Sequence, residues 1–196
     1  SAKITNEKIS SAKFLQNVFS VFVVNGKFIS EFSEINNLPN ELFIENIVRT
    51  QIDSVFEKHF SKYADIYTDA FIAMNTAFAE GGVFIYVRKN AVIKKPIHII
   101  HISTVEENTI ANPRNLFVIE ENAKVKIIES FVTIDNKAKS FTNALTEIFI
   151  GADANVEHTK IEDENELGNL LSTTQVCQKE KSVFTTHTIT LSGALV

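Results

Sequence analysis

Hydrophobic and polar residues along the second part of the chain follow a pattern that recurs four times. Each copy has an alternating apolar run, a polar turn of three residues, a small residue and a second alternating run. Alternation with a period of two predicts strands, and a repeat near about 30 residues is typical of a parallel β-solenoid. The small residues stand 32, 31 and 28 positions apart and are Ala91, Ala123, Ala154 and Ser182.

Two columns of the aligned copies are apolar throughout, one six residues before the small residue and one two residues after it. A column that stays apolar packs on itself when coils stack, so both are predicted to face the interior. The columns are Ile85, Phe117, Ile148 and Val176, and Ile93, Val125, Val156 and Phe184. The polar triplets suit turns, and their last residues are Asn90, Asn122, Asp153 and Lys181.

These columns predict a mainly β protein, with the first coils of a right-handed parallel β-helix over residues 81–196. A left-handed hexapeptide solenoid would need a six-residue repeat and is usually rich in glycine, whereas this chain has 6 glycines. A β-sandwich is the other alternative, because short strands with turn signals also describe it.

The first 80 residues are predicted to form a small mixed α/β region. Asn25-Gly26 stands between two β-rich runs, which is a strong hairpin signal. Segments 48–60 and 65–82 have helical spacing, and Gly81-Gly82 is predicted to end the second helix. One face of that helix is expected to hold Ile66, Ala70, Met74, Ala77 and Phe78.

A third column, five residues before the small residue, falls on the opposite face of the same strands and is also largely apolar. It holds Tyr86, Val118, Phe149 and Cys177. A solenoid interior takes only one face, so the other needs a cover. We expect residues 1–80 to supply that cover, and a partner protein is the alternative.

The chain begins with Ser-Ala-Lys and ends inside an apolar run, residues 189–196. An open edge strand pairs readily with another chain, and solenoids therefore need a cap. We expect either an N-terminal fragment that is incomplete at its C-terminus or two copies that meet at this edge.

Composition limits the classes of function. The net charge is −5, with 44% hydrophobic and 22% charged residues, so a nucleic-acid-binding surface is not expected. No apolar run is long enough to span a membrane and no signal peptide is visible, which favours the cytoplasm. One cysteine cannot form an intramolecular disulfide or hold an iron–sulfur cluster alone.

The histidines are candidate metal ligands or catalytic groups. His98 and His101 are three apart on a predicted strand and point to opposite faces, so they are not expected to share a metal. His158 is expected to make a hydrogen bond within the stack. His187 falls on the other face of its strand, so a catalytic pair with His158 is not expected.

Cys177 lies in an apolar column and is expected to be a packing residue, although nearby Lys179 and Lys181 would activate it if it were exposed. The acidic run, residues 161–166, is expected to be a solvated loop between coils rather than a pair of catalytic carboxylates.

The basic column of Lys94 and Lys126 continues as Glu157 and Thr185, so it does not form a positive stripe. Motifs for phosphate loops, nucleophile elbows and zinc sites are not found. We therefore predict no catalytic, cofactor-binding or metal-binding residue in this chain.

Five segments resemble, in order, the SufB/SufD family of iron–sulfur cluster assembly proteins. They are FVVNGKFISEFS, MNTAFAEGGVFIYVRKNAVIKKPIHI, NPRNLFVIEENAKVKIIESF, FTNALTEIFIGADANVEHTKIEDE and ITLSGALV. The hairpin segment and the MNTAF segment look more like the SufD branch. The resemblance implies a right-handed parallel β-helix and a scaffold role with a SufB paralogue and the SufC ATPase.

In that family, the functional His of SufD and Cys of SufB lie near the C-terminal end of the β-helix, followed by the helices that bind SufC. This chain is expected to stop before both, so no site residue is carried over, and the cluster is expected to be handled by the full complex. The alternatives are a carbohydrate-active β-helix enzyme and a structural module that self-associates.

Overall fold

The protein is described by a computed structural model that covers residue 9 and residues 11–48, 54–104, 108–134 and 139–195. Its strands form two six-stranded sheets. The strands are β1 (Phe19–Val24), β2 (Lys27–Phe28), β3 (Leu42–Asn46), β4 (Val83–Val87), β5 (Ile97–Ser103), β6 (Thr109–Ala111), β7 (Arg114–Ile119), β8 (Lys124–Thr133), β9 (Ser140–Ile150), β10 (Asn155–Asp163), β11 (Gly168–Gln178) and β12 (Val183–Ser192); the helices are α1 (Ser54–His59) and α2 (Ala70–Phe78).

From β4 onward the strands alternate between the two sheets, except that β6 and β7 both belong to the same sheet. Each coil therefore contributes one strand to each sheet, and one coil adds the short strand β6. Sheet A has the order β12-β10-β8-β5-β1-β2, and sheet B has the order β11-β9-β7-β4-β3 with β6 beside β9. The pairings between coils are parallel. This confirms the predicted parallel β-solenoid and excludes the sandwich, whose sheets are antiparallel.

The predicted interior columns are confirmed by the strand register. Phe117 is the register partner of Ile85 on one side and of Ile148 on the other. Val156 likewise lies between Val125 and Phe184. Both columns belong to one buried apolar cluster between the sheets, which fixes the register because a slip of one residue would turn them outward.

The turns between sheet B and sheet A repeat one backbone conformation. The last residue of each polar triplet has a positive φ, with values of 65°, 58°, 57° and 56° for Asn90, Asn122, Asp153 and Lys181. Asn and Asp adopt this left-handed conformation more readily than other side chains that carry a Cβ. Asn122 Nδ2 also donates to Asn90 Oδ1 over 2.9 Å, so neighbouring turns are joined by their side chains.

The N-terminal strands begin both sheets. β1 pairs in parallel with β5, and β3 pairs antiparallel with β4. The predicted hairpin is confirmed, because β1 and β2 are antiparallel and Asn25 and Gly26 between them have φ values of 47° and 80°. The domain boundary near residue 81 stays a prediction.

The cover on sheet B comes from the N-terminal region, as predicted. Ile47 and Phe56 pack with Phe84, Leu116 and Val118 in a second buried cluster on the outer face of the sheet. Among the described residues, no helix is both long and apolar enough to cross a membrane.

The two helices are shorter than predicted, and residues 49–53 of the first predicted helix lie outside the described residues. The expected apolar face of α2 is wrong: its buried residues are Ile72 and Asn75, whereas Phe78 is 66% exposed. The side of α2 that carries Asn75 faces the solenoid, because Asn75 Nδ2 donates to the carbonyl oxygens of Pro113 (2.9 Å) and Asn143 (2.7 Å).

The glycine pair does not end α2, which was also predicted wrongly. The helix is capped at Ala79, whose backbone N–H donates to the carbonyl oxygen of Asn75. Gly82 instead has a φ of 144°, and a Cβ there would lie 1.8 Å from the carbonyl oxygen of Arg114. The glycine is therefore needed because two backbones meet at this point.

Candidate functional site

The interior of the solenoid is divided into an apolar half and a polar half. The apolar half lies beside the repeated turns and holds the columns described above. The polar half lies toward the opposite ends of the same strands, where inward-facing positions carry ionisable and hydroxyl groups. Its buried members include His101, Ser103, Asn115, Glu129, Thr142, Thr146, His158, Lys160, Glu162 and Glu164.

Glu129 is the centre of the polar half and is fully buried on β8. Its Oε2 lies 2.7 Å from His158 Nε2, and its Oε1 lies 3.3 Å from His101 Nε2. Asn115 Nδ2 donates to Oε1 over 2.9 Å, and Thr146 Oγ1 donates to the same oxygen over 3.2 Å. The carboxylate thus joins four other strands, β5, β7, β9 and β10, across the interior.

The surroundings of Glu129 keep it ionised inside the protein. Burial alone would raise the pKa of Glu129, but the hydrogen bonds and charges of His101 and His158 hold it well below its usual range. The Nδ1 atoms of both histidines are buried without a hydrogen-bond partner. The arrangement is a buried carboxylate between two imidazoles, which holds a negative charge inside the solenoid by hydrogen bonds.

The arrangement differs from a metal centre. His101 and His158 approach the carboxylate from strands on either side of β8, in different registers. Within the described part of the chain, no three His, Cys, Asp or Glu side chains are grouped so that they could hold a metal ion.

The prediction of a solvated loop is wrong for Glu162 and Glu164, which are buried, whereas Glu166 is exposed in the loop between β10 and β11. β10 continues to Asp163, so strand alternation carries Glu162 inward, where its Oε2 accepts a hydrogen bond of 2.7 Å from Thr190. Glu164 is 2% exposed and is hydrogen-bonded by Thr133. Burial raises the pKa of Glu164 above its ordinary value, in spite of that bond.

The predicted opposite faces of His98 and His101 are confirmed, as is the predicted hydrogen bond of His158. His98 faces outward, where its Nε2 lies 2.8 Å from Ser130 Oγ and its ring packs edge-on against Phe14, whereas His101 faces the interior. Burial, with the charges of His101 and Lys13, lowers the pKa of His98 to about 4. His158 makes its hydrogen bond inside the stack.

The remaining predicted columns also follow the register. His187 is exposed on the outer side of β12, beside Thr159 in the register. Lys126 and Glu157 are register partners, and their side chains form an ion pair of 2.7 Å, which neutralises the basic column as expected.

A buried ion pair on the outer face of sheet B was not predicted from the sequence. Arg114 Nη2 lies 2.6 Å from Glu147 Oε2, and both side chains are almost fully buried. Glu147 also accepts the backbone N–H groups of Ser61 (3.1 Å), Tyr63 (2.7 Å) and Ala64 (3.0 Å). One carboxylate therefore fastens the N-terminal region to the solenoid.

Cys177 lies on the same outer face as the register partner of Phe149. It is partly exposed rather than enclosed in the packed cluster. The rings of His59 and Tyr63 lie 4.3 Å and 6.1 Å from the ring of Phe149, and Lys179 Nζ lies 5.9 Å from it. The thiol is thus at the edge of an aromatic cover.

A parallel solenoid with a polar interior and a fastened N-terminal cover defines a class of β-helix proteins, and comparison with known proteins identifies the family. The model described as "SufBD protein N-terminal region" matches residues 15–99, and the model described as "SUF system FeS cluster assembly, SufBD core domain" matches residues 101–196. The chain belongs to the SufBD family of iron–sulfur cluster assembly proteins.

Curated relatives agree with this family. An "iron-sulfur cluster assembly SufBD family protein" of Synechocystis sp. is 27% identical over 183 residues, which cover 88% of this chain and 40% of that protein. A protein of the same description from Staphylococcus aureus strain MRSA252 is 30% identical over 145 residues, covering 70% of this chain and 31% of the relative. The chain thus spans well under half the length of these relatives.

Proposed function

We propose that this protein is a SufD-like scaffold subunit that works in the cytoplasm with a SufB paralogue and the SufC ATPase. The observation that carries the proposal is the match of both family regions along one continuous solenoid. The hairpin and MNTAF segments support the SufD branch over SufB. Iron–sulfur clusters are usually held by several Cys thiolates, and this chain has one cysteine.

In this proposal the chain performs no chemical step alone and holds no cofactor of its own, and the full complex handles the cluster. The buried carboxylates of Glu129, Glu162 and Glu164 support this assignment, because each is hydrogen-bonded inside the solenoid. The same burial counts against a carbohydrate-active enzyme, whose carboxylates must reach a polysaccharide from outside.

Co-purification tests the proposal. The protein is tagged on its complete reading frame and co-expressed, without oxygen and at low salt, with its genomic neighbours. We expect a stable complex with an ABC-type ATPase and a paralogue, and the tagged protein expressed without its neighbours is the control. A protein that purifies alone from the co-expression would contradict the scaffold assignment.

Self-association is the second candidate, and exposed apolar side chains on β12 favour it. Ile189 and Leu191 of this strand are 47% and 64% exposed. Exposed apolar patches often mark contacts with another protein chain. Sedimentation over a wide concentration range should then show a dimer, and a monomeric mass throughout would count against it.

A further inference from the structure

A cavity of about 360 Å³ lies on the outer face of sheet B, where α1 and the segment after α2 meet strand β7. Its wall is largely apolar and includes Ile47, Phe56 and Phe60. The two phenylalanine rings stack with their centroids 4.6 Å apart, which gives the cavity a flat aromatic side. Small-molecule sites are usually mostly apolar clefts of about 300 Å³ or more with a few polar groups, so this cavity can enclose a small ligand.

Arg114 brings a buried hydrogen-bond donor to this wall, because it lines the cavity although its side chain is 1% exposed. Nη1 donates to Thr76 Oγ1 over 2.8 Å, and Nη2 donates to Glu147 Oε2 over 2.6 Å and to Ser61 Oγ over 3.4 Å. The third nitrogen, Nε, is buried without a hydrogen-bond partner among the described residues. The guanidinium carbon lies 5.4 Å from the centre of the Phe60 ring, so the group rests against the aromatic side of the cavity.

An unsatisfied N–H group of this kind calls for an acceptor. Buried donors in native proteins are nearly always paired, and each exception needs a partner such as water, an ion or a ligand. The guanidinium is the most rigid donor among the side chains, so its Nε–H group keeps one direction while Glu147 and Thr76 hold the two Nη atoms. A ligand oxygen that reaches Nε would complete the hydrogen bonds of Arg114 without moving any of them.

The charges at the cavity select a neutral acceptor. The guanidinium is neutralised by the buried carboxylate of Glu147, so Nε–H is a donor within an ion pair that has no net charge. A second carboxylate, Glu57, also lines the cavity and is exposed. Because like charges repel, an anionic ligand is disfavoured there. A carbonyl oxygen accepts a hydrogen bond without bringing a charge, and an aliphatic chain attached to it suits the apolar wall.

We propose that the cavity is a binding site for an uncharged aliphatic amide, whose carbonyl oxygen accepts from Arg114 Nε and whose chain packs against Phe56 and Phe60. The same chemistry occurs in a free amide and in an apolar residue of a peptide with its carbonyl group. The site does not depend on cluster assembly or on a particular partner subunit.

NMR of arginine side chains tests the site directly, because each Nε–H group gives its own signal. The protein is expressed from its complete reading frame with isotope-labelled arginine and is titrated with hexanamide. We expect saturable binding in the millimolar range, as is usual for so small a ligand, and a shift of the Arg114 Nε–H signal that follows saturation. Hexanoate has the same chain with a negative charge and should bind at least about 10-fold more weakly.

A second amide distinguishes the two sources of this chemistry. N-acetylleucine methylamide presents an aliphatic side chain and peptide carbonyl groups. Binding of either amide with the Arg114 shift supports the site. The tighter of the two shows whether a free amide or a peptide residue fits the cavity better.

Two variants and one control locate the ligand, and all three replace exposed residues. Val48→Trp places a large ring at the exposed side of the cavity and should weaken hexanamide binding at least about 10-fold. Val92→Trp, at an exposed position that does not line the cavity, is the matched control and should leave binding unchanged. Glu57→Gln removes the negative charge and should reduce the preference for hexanamide over hexanoate to about threefold or less.

Three results would overturn the proposal. The first is the absence of saturable binding of both amides up to their limits of solubility. The second is binding that leaves the Arg114 Nε–H signal in place, or that is as strong in Val48→Trp as in the original chain, since the ligand would then lie elsewhere. The third is hexanoate that binds as tightly as hexanamide to the original chain, which would refute the selection of a neutral ligand.

Discussion

The carboxylate of Glu129 lies 2.7 Å from His158 Nε2 in the interior of the solenoid, and both side chains are about 1% exposed. The two residues belong to neighbouring parallel strands, β8 and β10, but they are two register positions apart. Their hydrogen bond therefore runs diagonally and resists sliding of one coil along the next. An ionic group in this position contributes to stability only while its partners remain in place.

Replacement of Glu129 by Gln should destabilise the fold strongly. The amide removes the negative charge that faces His101 and His158 and turns an N–H group toward donors such as Asn115. We expect a loss of about 2–4 kcal/mol in the free energy of unfolding, measured by urea denaturation. Glu157→Gln, in the exposed pair with Lys126, should cost less than about 1 kcal/mol. Equal losses in both variants would mean that the interior network contributes no more to stability than an exposed ion pair.

The pKa of His98 predicts acid sensitivity. The folded protein holds this pKa near 4, compared with 6.5 for an unperturbed histidine. The unfolded chain therefore binds more protons between these values, and stability must fall as the pH is lowered through that window. This histidine should account for about 3 kcal/mol of the loss between pH 7 and pH 4.

His98→Gln should flatten the pH dependence of the urea midpoint in that window, because the amide can still bond to Ser130 without titrating. His187→Gln, on the exposed face of β12, is the matched control and should leave the slope unchanged. A slope that is the same in His98→Gln and in the original chain would contradict the assignment.

The titration of Glu164 should change stability with pH in the direction opposite to that of His98. Because burial raises its folded pKa, the stability linked to its protonated form is present below the unfolded pKa and is lost as the pH rises through the folded pKa. Glu164→Gln should therefore raise stability by about 1 kcal/mol at pH 8 and change it little at pH 4. Glu166→Gln, an exposed neighbour in the same loop, should do neither. Thermal unfolding at the two pH values measures both effects.

Gly82 and Gly26 form a matched pair, because both have a positive φ but only Gly82 meets another backbone. A Cβ on Gly82 would overlap the carbonyl group of Arg114, whereas one on Gly26 finds its nearest neighbour at 3.6 Å. Gly82→Ala should cost more than about 4 kcal/mol and greatly reduce the soluble yield. Gly26→Ala should cost about 1–2 kcal/mol. Similar melting temperatures for the two variants would refute the close approach.

Lys181 offers a stabilising substitution. It occupies the left-handed turn position that Asn and Asp fill in the preceding coils, with a φ of 56°. Lys181→Asn should raise the free energy of unfolding by about 0.5 kcal/mol, since Asn tolerates this conformation better. Lys179→Asn, two residues earlier, should give no gain. A lower melting temperature for Lys181→Asn would contradict the prediction.

The solenoid could be predicted from the sequence because its columns repeat at nearly constant spacing and strand alternation turns each into a face. The same alternation indicates the position of Glu129: it is two residues after Ile127 and four after Val125, so it faces the interior. The prediction for the acidic run was wrong for a similar reason: its charges suggest solvent, whereas the alternation of β10 turns Glu162 inward.

The cover of sheet B was harder to predict in detail. Arg114 and Glu147 are 33 residues apart, and the N–H groups that Glu147 accepts come from residues more than 80 positions away. Backbone donors leave no trace in the identity of their residues. The buried face of α2 is likewise determined by Asn75. The burial of this polar residue depends on two carbonyl groups that only the folded chain brings together.

The divided interior means that one coil has two kinds of cohesion. The half beside the turns is held by apolar area, whose contribution depends on temperature through the heat capacity of hydration. The other half is held by pairs of ionisable and polar groups, whose contribution depends on proton activity. Heat and acid should therefore loosen opposite ends of the same strands.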